Sequence, residues 1–403
     1  MKLLLYSHFF APSVGGVETV VQSFARGLSG LRAANGAAEF DVTLVTQTPA
    51  ANYNDAALPF RVVRCPGYAQ LWRLIRAADV VHVAGPALAP LLLSRLARKP
   101  LVIEHHGYQA VCPNGLLFHH PTGAVCPGHF QAANYLECMN CNTKIEGSLR
   151  ALKLLASTFL RRAVSRGAAA NIAPSHHVAQ RNGLPHTTVI FHGVADPLAA
   201  AQANKEPSAI ENGNFAYLGR LVTEKGVSVL AEAARLLHAQ GRSGIQVLII
   251  GDGPERPRLQ AQIASSHLES CVRITGFLSG DALERQLRAV SAIVIPTIME
   301  ETAGLAALEQ MARGRPVIAS AVGGLREIVA AAGLTFPAGD ASALAAAMQR
   351  ILDEPALAAS LGALARQRVL QSFSFGAMIE AHAGVYWEAC ATKKGRRDTE
   401  TDD

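Results

Sequence analysis

The sequence predicts an α/β protein made of two doubly wound, Rossmann-like domains. Short apolar runs alternate with helical patterns along nearly all of the 403 residues. Several runs are continuously apolar, which is typical of parallel strands covered on both faces. The alternation stops once, at 195–214, in a stretch of Pro, Asn, Lys and Glu, and then resumes. At roughly 100–200 residues per domain, the chain is predicted to hold two domains joined by this linker.

The first domain is predicted to span residues 1–194. Helical patterns follow its first strand at 17–29 and precede its sixth at 147–165. Ligands of doubly wound sheets bind at the carboxyl ends of the strands, so functional residues are expected in the loops there. The predicted strands are the runs 2–6, 41–46, 60–64, 79–84, 100–104, 169–173 and 187–191.

The second domain is predicted to span residues 215–374. Its first helix has one apolar face, formed by Val227, Leu230, Ala234 and Leu237. A helix beginning near Pro355 and a last helix at 375–391 follow, and the polar segment 392–403 is predicted to be a disordered tail. The predicted strands are the runs 215–219, 245–251, 272–276, 292–296 and 316–320.

Composition excludes several classes of protein. Half of the residues are hydrophobic, which excludes a disordered or collagen-like chain. The formal net charge of +6 favours anionic partners without choosing among them. Seven cysteines are too few for a disulfide framework at this length. The apolar run after Lys2 is too short for a signal peptide, and no run reaches the roughly 18–20 apolar residues that span a bilayer. A cytoplasmic protein is therefore expected.

The loop after the first strand carries Gly15 and Gly16 directly before a predicted helix. Glycines there let backbone N–H groups approach a phosphate at a helix N-terminus. The same residues would equally make a tight turn before a helix whose first turn carries Glu18. The loop is not a G-x-G-x-x-G sequence, so a dinucleotide site is not indicated.

Two cations follow the first strand of the second domain. Arg220 comes after the strand and Lys225 stands just before the next helix, an arrangement that suits a diphosphate. Surface cations are common, and the alternative is a solvated rim. The turn 251–254 (Gly-Asp-Gly-Pro) is built similarly and starts a helix whether or not it binds a ligand.

Two glutamates flank a later predicted helix start. Glu301 precedes the helix and Glu309 lies two turns inside it, within an apolar run. The free N–H groups of Ala303, Gly304 and Leu305 are expected to point out of the helix end toward an anion. A carboxylate in an apolar run is costly unless it is paired or bound to a ligand. For Glu309 the alternative to a ligand is an ion pair with a nearby arginine, Arg313 or Arg315.

These motifs, taken in order, resemble glycosyltransferase family 4. That family comprises retaining sugar transferases of the GT-B architecture, in which two Rossmann-like domains face each other across a cleft. The resemblance covers residue 2 to about 390, and in this architecture the final helix packs back on the first domain. The motifs are GGVE at 15–18, GR…EKG at 219–226, GDGP at 251–254, E-x7-E at 301–309, RPVIAS at 315–320 and GG at 323–324.

The resemblance implies a UDP- or GDP-linked sugar donor held mainly by the second domain. Arg220 and Lys225 are expected to bind the diphosphate, Glu309 the ribose and Glu301 the hydroxyls of the sugar. The backbone of Ala303, Gly304 and Leu305 is expected to contact the sugar and the phosphate, and Phe277 and Leu278 are expected to lie near the base. A first-domain histidine is expected to face the donor sugar, and the spacing to Cys112 favours His106 over His105. No Asp-x-Asp follows a strand, so a catalytic divalent metal is not indicated.

Two positions depart from the family pattern. His192 stands where Asn is usual, and Ala303 where a larger apolar residue is common. Rival functions are a nucleotide-sugar epimerase of the same architecture and a catalytically silent sugar-nucleotide-binding module. The expected function is transfer of a sugar to a glycan or glycolipid acceptor in cell-surface polysaccharide synthesis. Peripheral contact with the acidic inner face of a membrane is also expected, whereas binding to nucleic acid is not expected. The five basic residues at 150–166 do not form one helical face.

The segment 107–146 is an insert that carries Cys112, Cys126, Cys138 and Cys141. A loop of this length needs a stabilising group of its own. Disulfides are disfavoured in a reducing compartment, whereas four thiolates bound to Zn²⁺ would stabilise the folded loop there. An iron–sulfur cluster would use the same ligands. The alternative is four ordinary, partly buried cysteines. The insert is predicted to form part of the acceptor-side wall, with a structural metal.

Overall fold

The computed structural model describes residues 1–13, 15–199, 213–242 and 244–400, with side chains as far as Thr392. The chain divides into two compact units. The first comprises Met1–Pro121, Cys126–Gly193 and the chain from Phe375 onward, and the second comprises Thr122–Val125 and Val194–Ser374. Most of the predicted linker at 195–214 lies outside the described residues.

The first unit is built on a parallel sheet. The strands of this half of the chain, with the short pair β6 and β7 inside the insert, are β1 (Lys2–Ser7), β2 (Asp41–Thr46), β3 (Arg61–Arg64), β4 (Val80–Ala84), β5 (Leu101–Glu104), β6 (Phe118–His119), β7 (Ala124–Val125), β8 (Ala170–Ala173) and β9 (Thr187–Val189). In the described part of the chain the main sheet has seven strands, in the order β3-β2-β1-β4-β5-β8-β9.

Helices cover both faces of this sheet, which explains its continuously apolar strands. In β1, Leu3 and Leu5 join one apolar core and Leu4 and Tyr6 join the other. Successive side chains of a strand point to opposite faces, so burial on both sides requires apolar residues at every position. The helices of this half of the chain are α1 (Gly16–Gly30), α2 (Tyr68–Ala77), α3 (Leu88–Leu96), α4 (Tyr135–Glu146), α5 (Ser148–Arg166) and α6 (His176–Asn182).

The second unit is a doubly wound sheet of the same kind. Its strands are β10 (Asn214–Leu218), β11 (Gln246–Ile250), β12 (Val272–Gly276), β13 (Ala292–Ile295), β14 (Val317–Ser320) and β15 (Leu334–Phe336). Six parallel strands are present among the described residues, in the order β12-β11-β10-β13-β14-β15. The order reverses between β10 and β13, which is the point where doubly wound folds bind ligands.

The remaining helices cover the second sheet, and the last of them belongs to the first unit. They are α7 (Val227–Ala239), α8 (Arg256–Ser265), α9 (Gly280–Leu287), α10 (Leu305–Ala312), α11 (Gly323–Val329), α12 (Ala341–Asp353), α13 (Pro355–Ser372) and α14 (Phe375–Glu400). Short 3-10 turns lie at Asp55–Ala57, Thr223–Lys225 and Ala330–Ala332. Met378, Ile379 and Tyr386 of α14 are buried in the core that contains Phe24 and Leu28 of α1.

Two elements differ from the prediction. The segment 392–403, predicted as a disordered tail, is helical as far as Glu400, because it lacks proline and consists largely of residues that tolerate a helix; residues 401–403 lie outside the description. The insert, predicted as a long loop, contains α4. Its glycines and prolines all precede 129, whereas α4 begins at Tyr135.

Candidate functional site

Three glycine-containing loops meet at the carboxyl edge of the second sheet. The N–H of Gly219, after β10, donates to the carbonyl of Ile250 at 3.0 Å, and the N–H of Gly251, after β11, donates to the carbonyl of Gly276 at 2.9 Å. Gly251 has φ +151°, and a Cβ there would overlap the carbonyl oxygen of Gly219. Backbone therefore lies directly against backbone at this edge, where a side chain would separate the loops.

The loop after β10 carries the two predicted diphosphate-binding cations. The Tyr217 hydroxyl donates to the carbonyl of Arg220 at 2.8 Å and fixes the backbone there. The Arg220 side chain is exposed and forms no hydrogen bond or ion pair with the described residues. Lys225 is mostly buried, and its Nζ lies 2.5 Å from Oε2 of Glu301. The structure thus brings Lys225 and Glu301 together and leaves the Arg220 guanidinium available.

Lys225 reaches Glu301 because its turn is bonded to the segment after β13. The carbonyl of Glu224 accepts from the N–H of Ile298 and from Oγ1 of Thr297, both at 3.0 Å. Gly226 adopts φ +64°, and a Cβ at this residue would overlap the carbonyl oxygen of Pro296. The glycine of the EKG motif is therefore required for this close approach.

The paired glycines after β14 hold the backbone of Glu301. The N–H of Gly324 donates to the Glu301 carbonyl at 2.7 Å. Gly323 has φ +57°, and a Cβ on it would overlap the Glu301 backbone. The GG motif thus positions the first glutamate of the E-x7-E pair.

The start of α10 lies slightly later than the sequence predicted. Gly304 caps the helix in the left-handed conformation, with φ +53°, and the helix begins at Leu305. The first free N–H groups are then those of Gly304 to Ala307. Ala303 is buried and precedes them, so the predicted free N–H at Ala303 is shifted by one residue.

Glu309 does not form the ion pair with Arg313 or Arg315 that was the alternative to a ligand. It is exposed on α10 rather than buried in the apolar run, because that run borders only one face of the helix. Arg313 and Arg315 bind Glu284 instead, at 3.0 and 3.4 Å. Partial desolvation raises the pKa of Glu309, opposed by Arg313. Its carboxylate is therefore available to a ligand.

The remaining predicted contacts in the second unit follow β12. Phe277 comes directly after the strand and is largely exposed, and Leu278 is half-buried. An exposed aromatic ring after a strand offers a surface on which a base can stack.

The first-unit loop places Gly15 at the N-cap of α1. Its backbone is extended, which any residue adopts, but a Cβ there would overlap the carboxylate of Glu18, which folds back over it. The Gly15 carbonyl accepts from both the N–H and the Oγ1 of Thr19. The glycine therefore makes room for Glu18, and Gly16 begins the helix with free N–H groups.

A buried carboxylate surrounded by four histidines lies in the first unit, and the sequence analysis missed it. Oε2 of Glu104 lies 3.1 Å from Nε2 of His82 and 3.7 Å from Nε2 of His106. Its Oε1 lies 3.8 Å from Nδ1 of His192 and 3.9 Å from Nε2 of His382. An acidic residue ending a continuously apolar strand was the one signal that could have found it.

The protonation states in this cluster follow from burial and charge. Burial alone would raise the pKa of Glu104, but His106, His382 and His82 outweigh it and hold that pKa well below its usual range. Burial lowers the pKa of His82, and lowers that of His192 to about 4 against the opposing effect of Glu104. The cluster therefore holds a carboxylate anion beside neutral imidazoles at His82 and His192.

The two neighbouring histidines after β5 have different surroundings. Nε2 of His105 lies 2.9 Å from Oδ1 of Asn171 inside the core. The His106 side chain is largely buried and stacks on His192, with ring centroids 5.5 Å apart. His105 is committed to a structural contact, and His106 is the better placed of the two to meet a ligand.

The four predicted metal-binding cysteines are all buried in the insert. Cys112, Cys126 and Cys138 share an apolar cluster, and Asn114 links Cys112 to Cys141 at 3.0 and 3.7 Å. Cys138 and Cys141 lie one turn apart on α4. Burial raises the pKa of Cys138 to about 12, together with the nearby Cys112, Cys126 and Cys141.

In two other groups of side chains, the potential metal-ligand atoms lie closer together than the thiols do. Among the described residues, three ligand atoms come within 4.8 Å of one another in Glu104, His106 and His192, and in His119, His129 and Glu137. The four thiols do not form such a group. Cys112, Cys126 and Cys138 share one apolar cluster, but the four thiols do not lie at metal-binding distances from one another.

Two family models match the chain. Residues 14–196 match the model described as Glycosyltransferase Family 4, and residues 212–354 match the model described as Glycosyl transferases group 1. None of the helices in the described part of the chain combines the length and apolar character needed to cross a bilayer.

Curated relatives match over part of their length. The Alpha-D-kanosaminyltransferase of Streptomyces kanamyceticus is 34% identical over 43% of this chain and 45% of its own length. The amylovoran biosynthesis glycosyltransferase AmsK of Erwinia amylovora is 32% identical over 39% of this chain and 40% of its own. The chain spans about half the length, or less, of the curated relatives it matches.

The fold matches a solved GT-B structure over nearly the whole chain. The Anabaena protein HepE, in complex with UDP, superposes with a TM-score of 0.69 at 18% identity, covering 95% of this chain and 99% of that one. At this identity the likeness shows the fold.

Proposed function

We propose that the chain is a retaining glycosyltransferase of family 4, whose model matches residues 14–196. It would move a sugar from a UDP- or GDP-linked donor to a hydroxyl group of a glycan or glycolipid. The observation that carries the proposal is the Lys225–Glu301 pair beside the free Arg220 guanidinium at the carboxyl edge of the second sheet. HepE, which has the same fold, binds UDP.

The second unit supplies the groups that the leaving diphosphate needs. Breaking the anomeric C–O bond places negative charge on the β-phosphate. Arg220, Lys225 and the first N–H groups of α10 are the positive groups proposed to face it; Lys225 is held by Glu301, whereas the exposed Arg220 side chain would turn toward the phosphate on binding. A preorganised donor of this kind contributes on the order of 3 kcal/mol to transition-state stabilisation. In this proposal the fixed cations take the role that a divalent ion has in other transferases.

Glu301 is proposed to bind the donor sugar's hydroxyls and Glu309 the ribose. Without donor, the Glu301 carboxylate is neutralised by Lys225. An incoming diphosphate would share that ammonium, which would free Glu301 oxygens to accept hydrogen bonds from the sugar. Donor binding would therefore prepare the carboxylate for the sugar without leaving it unpaired.

His106 is proposed as the first-unit catalytic residue, on the family resemblance. Its imidazole is only 8% exposed and stacks on His192, the residue that replaces the family's Asn. Stacking and the Glu104 carboxylate together fix the ring orientation. Acceptor attack from the face that the diphosphate leaves would give retention.

The thiols of the insert are proposed to bind structural Zn²⁺, or an iron–sulfur cluster. The donor set suits either group chemically, because all four cysteines of the insert are buried and Asn114 contacts both Cys112 and Cys141. A bound metal would draw Cys112, Cys126, Cys138 and Cys141 together. Its binding free energy would add to the folding free energy of the insert.

The proposed setting is cell-surface polysaccharide synthesis at the cytoplasmic face of a membrane. AmsK, one of the relatives, is named for the biosynthesis of amylovoran.

Radiolabelled nucleotide sugars incubated with the protein and a lipid-linked acceptor extract test the proposal. Label moving into the extract supports transfer. An altered free sugar would support the epimerase, and binding without turnover would support the silent module.

A further inference from the structure

The outward face of α5 is apolar. Leu149 and Leu152 are 68% and 54% exposed, and Phe159 and Leu160 are exposed about two turns further on. At 100° per residue these four side chains lie within about a third of the helix circumference, whereas Ala151, Thr158 and Ser165 on the opposite side are buried. A surface helix ordinarily turns charged residues outward, so α5 has an apolar stripe where water contact is expected.

The stripe continues on the helices packed beside α5. Leu136 and Ile145 of α4 are 83% and 55% exposed, and Leu96 of α3 is also exposed. Contiguous exposed apolar side chains on neighbouring helices mark an interaction surface. We call Leu136, Ile145, Leu149, Leu152, Phe159 and Leu160 the apolar stripe.

Positive charge borders the apolar stripe. Helix α5 contains five basic residues and no acidic one. Arg161 and Arg162 are held by the backbone carbonyls of Pro86 and Asn182, whereas Lys153 and Arg166 are exposed. Arg150 is paired with Glu146, so the exposed Lys153 and Arg166 are the α5 cations left to meet a ligand.

At the end of α5, Arg166 enters a basic groove. The groove has a volume of about 940 Å³ and is lined by Arg95, Arg98, Lys99 and Arg166, with Glu388 as an acidic residue. It lies at the amino ends of β5, β8 and β9, which is the sheet edge opposite the loops of the candidate site. It is therefore separate from the predicted catalytic residues of this unit.

We propose that the apolar stripe docks on an anionic membrane, with its leucines among the acyl chains and lipid phosphates in the basic groove. Apolar residues bordered by Lys and Arg are the composition of interfacial helices. A second copy of the chain fits less well, because a two-fold contact would bring the same basic borders together. The inference rests on the proposed function, since it would hold the enzyme where lipid-linked acceptors are.

Vesicle co-sedimentation tests the proposal without using transfer activity. The expected result is binding to phosphatidylcholine vesicles containing about 30% phosphatidylglycerol at least about tenfold tighter than to phosphatidylcholine alone, weakened as salt rises from about 0.1 to 0.5 M. A double variant, Leu149→Gln and Leu152→Gln, should lose at least about tenfold in vesicle affinity. Its matched control, Leu364→Gln with Leu370→Gln on α13, changes leucines that are 45% and 43% exposed and should bind like wild type.

Equal binding to the two kinds of vesicle, or unchanged binding by the stripe variant, would overturn the proposal. So would a wild-type protein that does not bind vesicles but forms a dimer that the stripe variant cannot form. The same holds for a wild-type protein that binds inorganic phosphate in the groove but does not bind vesicles. Thermal melting confirms that the variants fold. Failure of transfer with intact vesicle binding would count against the proposed function alone.

Discussion

The side chains of Lys225 and Glu301, 76 residues apart in the sequence, form an ion pair with Nζ 2.5 Å from Oε2. Each partner arrives on a loop fixed by glycines, Gly226 for the lysine and Gly323 with Gly324 for the glutamate. Backbone packing at the sheet edge therefore brings the pair together. The pair joins the EKG motif, which carries Lys225, to the E-x7-E motif, which begins with Glu301.

Replacing either member, as Lys225→Ala or Glu301→Ala, should reduce sugar transfer at least about 100-fold, because each removes a group proposed to act on the diphosphate or the sugar. Steady-state kinetics with labelled donor measure this. The control is Arg235→Ala, which breaks the half-exposed Arg235–Glu232 pair on α7 and should leave turnover near wild type. Wild-type-like turnover in either test variant would contradict the assigned roles.

Gly251→Ala should destabilise the second unit by more than about 2 kcal/mol and weaken UDP binding, because the new Cβ would overlap the Gly219 carbonyl. Gly241→Ala is the matched control, since Gly241 also has positive φ, at +82°, but has open space around it. It should cost about 1 kcal/mol from backbone conformation alone. Urea unfolding and UDP titration measure both; equal losses would show that the contact between the loops is unimportant.

The free energy of unfolding should fall as pH falls from 7 to 5, in part because of His192. Its folded pKa of about 4 lies below the unfolded value of about 6.5. Between these values the unfolded state binds the extra proton, so the contribution to stability is present above pH 6.5 and is lost toward pH 4. His192→Asn should remove about 2 kcal/mol of that decline between pH 7 and 5. Parallel stability curves for the two proteins would contradict the assignment.

Glu104→Gln should destabilise the first unit by about 3 kcal/mol, because it replaces the buried acceptor that faces four imidazoles. Since the carboxylate raises the pKa of His192, its loss should lower that pKa further. NMR titration of the imidazole signals reports the second effect, which a purely steric change would not produce. An unchanged His192 titration would show that Glu104 is protonated in the folded protein.

Protein purified without added metal should contain about one zinc, or one iron–sulfur cluster, per chain. The double variant Cys138→Ser with Cys141→Ser should lose the metal and melt at lower temperature. Cys271→Ser, at a buried cysteine of the other unit, should keep it. Metal-free protein whose four insert thiols are alkylated in the native state would exclude the site.

The strands were predictable because burial on both sides of each sheet leaves a continuous apolar run. Leu3, Leu4, Leu5 and Tyr6 alternate between two cores, and no polar residue interrupts them. The glycines at 226, 251 and 323 were likewise visible as motifs. Their function, making room for a neighbouring carbonyl, became visible only in three dimensions.

The Glu104 cluster was not predictable from local pattern. Its members come from β4, β5, the segment after β9, and α14, and His82 bonds Tyr386 across 304 residues of sequence. Hydrophobic periodicity reports which face of an element is buried but not which distant side chains meet there. The exposed apolar face of α5 escaped for a related reason, since periodicity alone does not say which of two apolar faces meets the core.

The position of α14 restricts how such a protein can be recombined. The first unit contains both the start of the chain and its last helix, and Tyr386 completes the Glu104 cluster through His82. A chimera that joined residues 1–194 to the second half of a relative would therefore exchange part of the first unit's core along with the donor-binding half. A chimera designed to change the sugar donor would need to keep the native α14 together with the first unit. Otherwise the residues at positions 386 and 82 would have to be changed together.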